Sequence, residues 1–214
     1  MNSHPDLVAA ARAAIDDVLR KDEERLLIGI AGAPAAGKST LAASLTRTLN
    51  REFGAGYCCA VPMDGFHLAN AQLSRLGLAM RKGAPDTFDA AGFVHLLRRL
   101  RDREELVYAP EYSRTLHESI GGSIPIPASV RVCLVEGNYL LIPGGQWAPV
   151  RRLLDLALYV ETHERVRVNA LLRRQQNRGL SREAARNWVF GSDEVNAALI
   201  GTTRQYADVI LNRP

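Results

Sequence analysis

Apolar positions along the chain follow two alternating patterns, short continuous runs and longer stretches with helical spacing. Five short runs predict buried strands at residues 26–31, 57–62, 130–135, 155–160 and 207–211. Helical spacing predicts helices at residues 3–22, 40–51, 68–76, 90–103, 163–176 and 181–198. The first helix would begin with Ser3 and Asp6 at capping-box spacing. This alternation predicts an α/β fold in which helices cover both faces of a mostly parallel, five-stranded sheet.

The pattern is less regular between the second and third strands. Arg81–Asp89 reads as a loop with Gly83 and Pro85, and the stretch 108–129 is rich in Gly and Pro. That stretch predicts either short antiparallel strands or a loop that covers a site. Because no repeat, low-complexity tract or linker divides the chain, we expect one domain over residues 1–214, with residues 64–128 inserted into it.

Composition excludes several classes of protein. The 214 residues are 47% apolar and 23% charged with a net charge of +4, which is ordinary for a globular protein. The mild charge and the absence of an aromatic–basic platform argue against a nucleic-acid partner. No apolar run approaches membrane-spanning length. Cys58, Cys59 and Cys133 lie in strand-like runs, so we expect reduced core thiols in a cytoplasmic protein.

The most specific motif lies between the first strand and the next helix. It fits the phosphate-binding pattern G-x-x-x-x-G-K-[ST] and consists of Gly32, Ala33, Pro34, Ala35, Ala36, Gly37, Lys38 and Ser39, followed by Thr40. In such a loop (P-loop), backbone N–H groups face the phosphates of ATP at a helix N-terminus. Lys38 can reach the β- and γ-phosphates, and the Ser39 hydroxyl can bind Mg²⁺. The motif therefore predicts the P-loop NTPase fold.

Carboxylates follow two of the predicted strands. Ligands of parallel α/β sheets bind beyond the carboxyl ends of the strands, so Asp64 would lie beside the γ-phosphate and could accept a proton from an attacking hydroxyl. A turn aspartate before Gly65 is the simpler alternative. Glu136 ends an apolar strand, as in a Walker-B motif, where the acid orients Mg²⁺ or assists the base. His67 could contact substrate or simply pack.

Arginines crowd the helix before Gly179. Arg173, Arg174 and Arg178 could neutralise the charge of a phosphoryl group in transfer if the segment closed as a helical lid over about residues 174–190. An exposed, Arg-rich helix face is the alternative. The spacing does not select which arginine faces the site.

Together these motifs resemble the pantothenate kinase, uridine kinase and phosphoribulokinase branch of P-loop small-molecule kinases, over roughly residues 26–211. The segments that carry the resemblance are Met63–His67, Arg81–Asp89, Tyr108–Ser113 and Val135–Asn138. The resemblance implies that Lys38 and Ser39 serve ATP and Mg²⁺, that Asp64 is the base and that Glu136 is a second acid. It places Arg173 and Arg174 on the helix that leads into the lid.

Comparison with individual members of this branch indicates which class of acceptor the chain would use. The Arg81–Asp89 loop is most similar to bacterial pantothenate kinases, which are longer than this chain. Gly83 stands where uridine kinases have an aspartate for the ribose diol, which argues against a ribonucleoside. The chain also resembles the short bacterial group labelled nucleoside/nucleotide kinase-like, or fructose-transport-associated kinase. Candidate acceptor-binding residues are His67, Arg81, Lys82, Tyr112 and Arg114.

The sequence thus predicts a kinase that transfers the γ-phosphoryl group of ATP to a hydroxyl of a small pantothenate-, nucleoside- or sugar-like metabolite. The alternative is an NTP-binding regulatory or transport-coupled NTPase with little acceptor phosphorylation. The sequence leaves the oligomeric state open, with a homodimer as one option.

Overall fold

The computed structural model describes residues 4–21 and 24–213. The helices are α1 (Pro5–Leu19), α2 (Lys38–Phe53), α3 (Asn70–Arg75), α4 (Ala90–Arg101), α5 (Ala148–Leu153), α6 (Glu164–Asn177), α7 (Arg182–Trp188) and α8 (Glu194–Thr202). The strands are β1 (Leu26–Ala31), β2 (Cys58–Pro62), β3 (Leu106–Ser113), β4 (Glu118–Pro127), β5 (Val132–Glu136), β6 (Leu156–Thr162) and β7 (Val209–Arg213). The predicted Ser3 cap lies outside the described residues, and α1 begins at Pro5.

Five strands form one parallel sheet in the order β2-β5-β1-β6-β7. The central strand β1 is buried along its whole length, which explains its continuous apolar sequence. Glu136 at the end of β5 is in register with Ile30 on β1 and Pro62 on β2. The predicted α/β fold is confirmed, and the ends of β1, β2 and β5 meet at one edge of the sheet.

Helices cover both faces of this sheet, as predicted. Successive side chains of a strand point to opposite faces, so strands that are continuously apolar must be covered on both faces. On one face, α1 and α2 pack their apolar stripes against β1, β5 and β6 (Leu7, Ala11, Ile15, Leu41, Leu45, Leu49). On the other face, α4, α5 and α8 supply the buried apolar side chains (Phe93, Leu97, Leu100, Val150, Ile200). Packing on both faces holds the strands in place, and with them the strand ends that carry the candidate site.

The irregular segment between β2 and β5 contains an antiparallel hairpin, β3–β4, so the strand alternative is the one observed. Val107, Ala109 and Ile126 insert from it into the core. Its base is tied down by the buried Arg25, which donates hydrogen bonds to the carbonyl oxygens of Val130 (2.9 Å), Leu100 (3.1 Å) and Pro127 (2.6 Å).

The helices of the structure differ from the predicted ones in two places. The helix predicted at residues 181–198 is interrupted by a wider turn at Val189–Asp193, which separates α7 from α8. The short helix α5 was not predicted, because its six residues include Pro149 and show too few turns for a periodic pattern. None of the described helices is both long and apolar enough to span a membrane.

Candidate active site

The P-loop connects the buried end of β1 to the first turn of α2. Gly32 and Gly37 have positive φ angles (147° and 100°), and Ala35 also adopts a left-handed conformation with φ of 63°. The Ala36 carbonyl accepts hydrogen bonds from the Thr162 hydroxyl (2.9 Å) and from the Arg213 guanidinium (3.4 Å). The loop is therefore held from β6 and β7, while the N–H groups of the first turn of α2 have no partner within the helix.

The Lys38 ammonium is buried inside this loop. It donates hydrogen bonds to the Ala33 carbonyl (3.0 Å) and to Oδ1 of Asn138 (2.7 Å), both of them neutral acceptors. Burial lowers the pKa of Lys38 to about 8, against the opposing effects of the Glu136 and Asp64 carboxylates. The structure thus contains a desolvated cation directed at the concave side of the loop.

Ser39 and Glu136 form the pair expected at a metal site. The Ser39 hydroxyl donates a hydrogen bond to Oε1 of Glu136 at 2.9 Å. Burial, followed by the nearby Asp64 carboxylate, raises the pKa of Glu136. Among the described residues no group of three or more His, Cys, Asp or Glu could enclose a metal. Mg²⁺ needs no such group, because it is commonly held by one or two side-chain oxygens together with phosphates and water.

Asp64 lies on a short helical turn, Met63–Phe66, that follows β2. Two close backbone approaches fix this turn. A Cβ atom on Gly65 would lie 2.2 Å from the Pro110 carbonyl oxygen, and one on Gly137 would lie 2.5 Å from Cβ of Met63. Asp64 is therefore locked between the hairpin and the end of β5, within electrostatic range of both Lys38 and Glu136.

An aromatic wall extends from Asp64 on the hairpin side. Nδ1 of His67 lies 2.8 Å from the Asp64 carbonyl oxygen, and the His67 ring packs on Phe88 (centroids 4.0 Å apart) and Tyr112 (4.7 Å). Burial lowers the pKa of His67, so the ring is neutral near pH 7. His67 and Tyr112 are thus brought to the site, as predicted candidates, by one continuous packed surface.

The three basic acceptor-side candidates have different surroundings. Nζ of Lys82 lies 5.2 Å from the centroid of the Tyr112 ring and continues the aromatic wall. Arg114 lies at the exposed end of the hairpin, within electrostatic range of Glu136. Arg81 instead forms an exposed ion pair with Asp86 (3.1 Å) within its own loop.

The arginines of α6 diverge around the helix. Arg174 is within electrostatic range of Asp64, Arg114 and Arg178. Desolvation, followed by Arg114, lowers the pKa of Arg174, although a guanidinium stays protonated at neutral pH. Arg173 lies on another face of α6 and lines a separate groove together with Arg182 and Arg186. The structure therefore brings Arg174, rather than Arg173, towards Asp64, and it places Arg178 beside His117 of the hairpin.

Sequence reasoning missed several residues of the site. Asn138, the partner of Lys38, follows Glu136 by two positions, but its role depends on the contact between two strands. Arg167 forms a buried bidentate ion pair with Glu194 (2.7 and 2.8 Å) that joins α6 to α8. Tyr139 donates a hydrogen bond to the Gly83 carbonyl and holds the Arg81–Asp89 loop. Asn138 and Tyr139 could have been suspected from the sequence, because they follow closely on the Walker-B carboxylate Glu136. Arg167 has no comparable neighbour in the sequence.

The model of the phosphoribulokinase / uridine kinase family matches residues 27–214. The chain belongs to this family. It is therefore a kinase, a phosphotransferase with an alcohol group as acceptor, and P-loop kinases of this type use ATP.

Individual relatives span the branch that the sequence indicated. A solved structure from Silicibacter sp. TM1040, described as a "putative fructose transport system kinase", is 34% identical, with a TM-score of 0.86 over 95% of this chain and 98% of that one. A "putative uridine kinase" of Schizosaccharomyces pombe is 31% identical over 91% of this chain and 86% of its own length. The pantothenate kinase of Lacticaseibacillus casei is 31% identical over 67% of this chain but only 47% of its own length. The kinase thus spans about half the length of the pantothenate kinases that it matches.

Proposed function

We propose that the kinase transfers the γ-phosphoryl group of ATP to a hydroxyl group of a small metabolite, with Asp64 as the general base. One observation carries the proposal. At the P-loop the buried Lys38 is hydrogen-bonded to Asn138, Ser39 is hydrogen-bonded to the buried Glu136, and Asp64 is held within electrostatic range of both Lys38 and Glu136. A nucleotide-binding module without an acceptor would not need a second carboxylate there.

On the donor side, the P-loop N–H groups and Lys38 would hold the phosphates. Lys38 would exchange the neutral oxygens of Ala33 and Asn138 for phosphate oxygens, which are stronger acceptors for a charged donor. Ser39 and Glu136 supply the hard oxygen ligands that suit Mg²⁺. Bound there, Mg²⁺ would neutralise developing charge on the phosphates.

On the acceptor side, Asp64 would accept the proton of the attacking hydroxyl. The wall of His67 and Tyr112 would orient the acceptor and exclude water from one side of Asp64. Arg174 would stabilise the charge of the transferring group, as part of a lid over about residues 174–190. In this proposal the 64–128 insertion and the lid belong to one kinase domain.

The test is the Asp64→Asn variant, which keeps the side-chain shape but cannot accept the proton. We expect turnover to fall at least about a hundredfold, the scale of general-base loss, while the Kd for Mg·ATP stays nearly unchanged. ADP release would be measured across a panel of pantothenate, nucleosides, fructose and other sugars. Asp17→Asn on α1 is the matched control and should retain wild-type turnover, because Asp17 is exposed and its ion-pair partner among the described residues is Arg20.

Two results would count against the proposal in different ways. Turnover that survives in the Asp64→Asn variant would remove Asp64 as the base. Slow ADP release that no compound of the panel accelerates would instead favour the regulatory or transport-coupled NTPase.

A further inference from the structure

The acceptor side of the site has a cluster of basic side chains without acidic partners. Its members are Lys82, Arg114, Arg174 and Arg178. Within residues 4–21 and 24–213, no carboxylate oxygen lies within ion-pair distance of any of them. Arg81, Arg167 and Arg204, by contrast, are each paired with a carboxylate.

Lys82 and Arg178 lie on either side of His117, at the turn of the β3–β4 hairpin. Nζ of Lys82 donates hydrogen bonds to the His117 carbonyl (2.7 Å) and to Oδ1 of Asn70 (2.5 Å). Nη2 of Arg178 lies 3.1 Å from Nδ1 of His117. Because a guanidinium can only donate, Nδ1 must be the acceptor and the ring must be neutral. Two cations thus share one residue, and all their partners are uncharged.

This pair of cations is connected to Asp64 through the aromatic wall. Lys82 stacks on Tyr112, Tyr112 packs on His67, and Nδ1 of His67 contacts the carbonyl of Asp64. Each step is a direct contact between neighbouring residues, so one packed surface leads from Asp64 to the two cations.

The simplest alternative is that these cations are merely solvated. That alternative fits isolated surface side chains, whereas Lys82 is half-buried and lies close enough to Arg178 for the two charges to disfavour each other. The carboxylates that face the cluster are Glu118, which is engaged by the backbone N–H of Asn70 (3.1 Å), Asp64, Glu136 opposite Arg114 and Asp193 opposite Arg174; none of them lies within ion-pair distance of Lys82 or Arg178 in the described residues. An anion bound between Lys82 and Arg178 would remove this repulsion.

We infer that the acceptor carries, besides its reactive hydroxyl, an anionic group bound by Lys82 and Arg178, either a carboxylate or a phosphate monoester. The inference rests on the proposed kinase function and specifies its acceptor class. A free sugar or a neutral nucleoside would leave both cations without an anionic hydrogen-bond partner in the complex. A hydroxy acid or a sugar phosphate would compensate them with charge-assisted hydrogen bonds.

Matched acceptors test the inference by turnover. The pairs are gluconate and glucitol, pantothenate and pantothenol, and fructose 6-phosphate and fructose. We expect the anionic member of a used pair to have at least about a tenfold higher kcat/KM, as one charged hydrogen-bond partner provides. The first two pairs report a carboxylate and the third reports a phosphate.

Variants of Lys82 and Arg178 test whether these two side chains cause the preference for an anionic acceptor. Lys82→Met and Arg178→Met should each raise KM for the anionic acceptor about tenfold or more, with a smaller change in kcat, and should leave KM for its neutral partner unchanged. Arg51→Met, at the far end of α2 from the P-loop, removes the same charge and should change neither value. A neutral member that is used as well as its anionic partner would overturn the inference.

Binding measurements test the anionic pocket without depending on phosphoryl transfer. Each pair would be titrated calorimetrically into enzyme saturated with Mg²⁺ and a non-hydrolysable ATP analogue. Anion binding that weakens at least about tenfold in Lys82→Met would support the anionic pocket even if no compound were phosphorylated, in which case the proposed function alone would fail. The inference would be overturned if the anionic and neutral acceptors of each pair bound equally well and if neither Lys82→Met nor Arg178→Met changed their Kd.

Discussion

The protonation of Lys38 is set by burial. Its pKa of about 8 means that above this pH a growing fraction of the free enzyme holds a neutral amine. Nucleotide phosphates favour the protonated form, so affinity must fall as the pH rises through this value. We expect the Kd for Mg·ADP, measured calorimetrically, to rise about tenfold between about pH 7 and pH 9.

Lys38→Met provides the control for this pH dependence. The variant should bind Mg·ADP more weakly, with a Kd that hardly changes over the same range, because the titrating group is gone. A wild-type Kd that is equally flat would show that Lys38 stays protonated and that its burial does not govern binding.

Gly65 places Asp64 through close packing. A methyl group at this position would collide with the Pro110 carbonyl, so Gly65→Ala must shift either the Asp64 turn or the hairpin. We expect a loss of unfolding free energy of about 1–3 kcal/mol, typical of overpacking, together with a lower kcat. Both are measurable, by denaturant titration and by ADP release.

The hairpin offers a matched control for that substitution. Within the part of the chain that the structure describes, a methyl group on Gly121 of β4 would meet no atom of another element within 4 Å, so Gly121→Ala should leave stability and kcat nearly unchanged. Equal effects of the two substitutions would mean that packing at Gly65 does not position Asp64.

Local sequence predicted the residues whose chemistry depends on their immediate neighbours. Lys38, Ser39, Asp64 and Glu136 each follow a buried strand or lie in a motif of fixed spacing, and the structure brings all four together. The hydrogen bond from Lys38 to Asn138 could not be predicted in this way, since 100 positions separate the two residues and only the pairing of β1 with β5 joins them.

At the scale of elements, α6 and α8 are joined by the Arg167–Glu194 ion pair. The Arg167 side chain is only 7% exposed, so the neutral Glu194→Gln would leave a buried guanidinium without its counter-charge. We expect the unfolding free energy to fall by about 3 kcal/mol or more, and hydrogen exchange to increase in α6–α8 before it increases in the sheet.

A second ion pair supplies the comparison for Glu194→Gln. Arg204 and Glu161 form a similar pair at 3.1 Å, but both side chains are more than 40% exposed. Glu161→Gln should therefore cost less than about 1 kcal/mol and leave exchange in α6–α8 unchanged. If both variants behaved alike, the pair between α6 and α8 would have no special part in holding the proposed lid.

Element predictions succeeded where periodicity was long and failed where tertiary contacts decide. The strands and α2 were predicted because their patterns repeat over several residues. The pairing of β3 with β4 and the division of 181–198 into α7 and α8 are set by contacts with other elements. The inward-facing arginine was unpredictable for the same reason, because adjacent residues Arg173 and Arg174 differ by about 100° around a helix.

At the scale of the whole molecule, the sheet order makes the site. With β1 between β5 and β6, and β2 outside β5, the P-loop, Glu136 and Asp64 follow three strands that lie side by side. The sequence predicted a parallel sheet but could not predict this order, which depends on how the crossover helices pack. The proposed acceptor side is assembled from the hairpin, the 81–89 loop and α6, which no single stretch of sequence could reveal.

Because the donor site is built from the sheet itself, nucleotide binding should stabilise the whole molecule. Mg·ADP at about a hundred times its Kd should add about 2.7 kcal/mol to the unfolding free energy, which for a chain of 214 residues corresponds to a rise in Tm of about 5–10 °C. EDTA should remove most of this rise if Mg²⁺ is held by Ser39 and Glu136, whose oxygens lie 2.9 Å apart. In Ser39→Ala the shift with Mg·ADP should fall to the value measured with ADP and EDTA, whereas Thr48→Ala, later on the same helix, should keep the wild-type shift. A shift in Ser39→Ala that still depended fully on Mg²⁺ would mean that the metal is held without this hydroxyl.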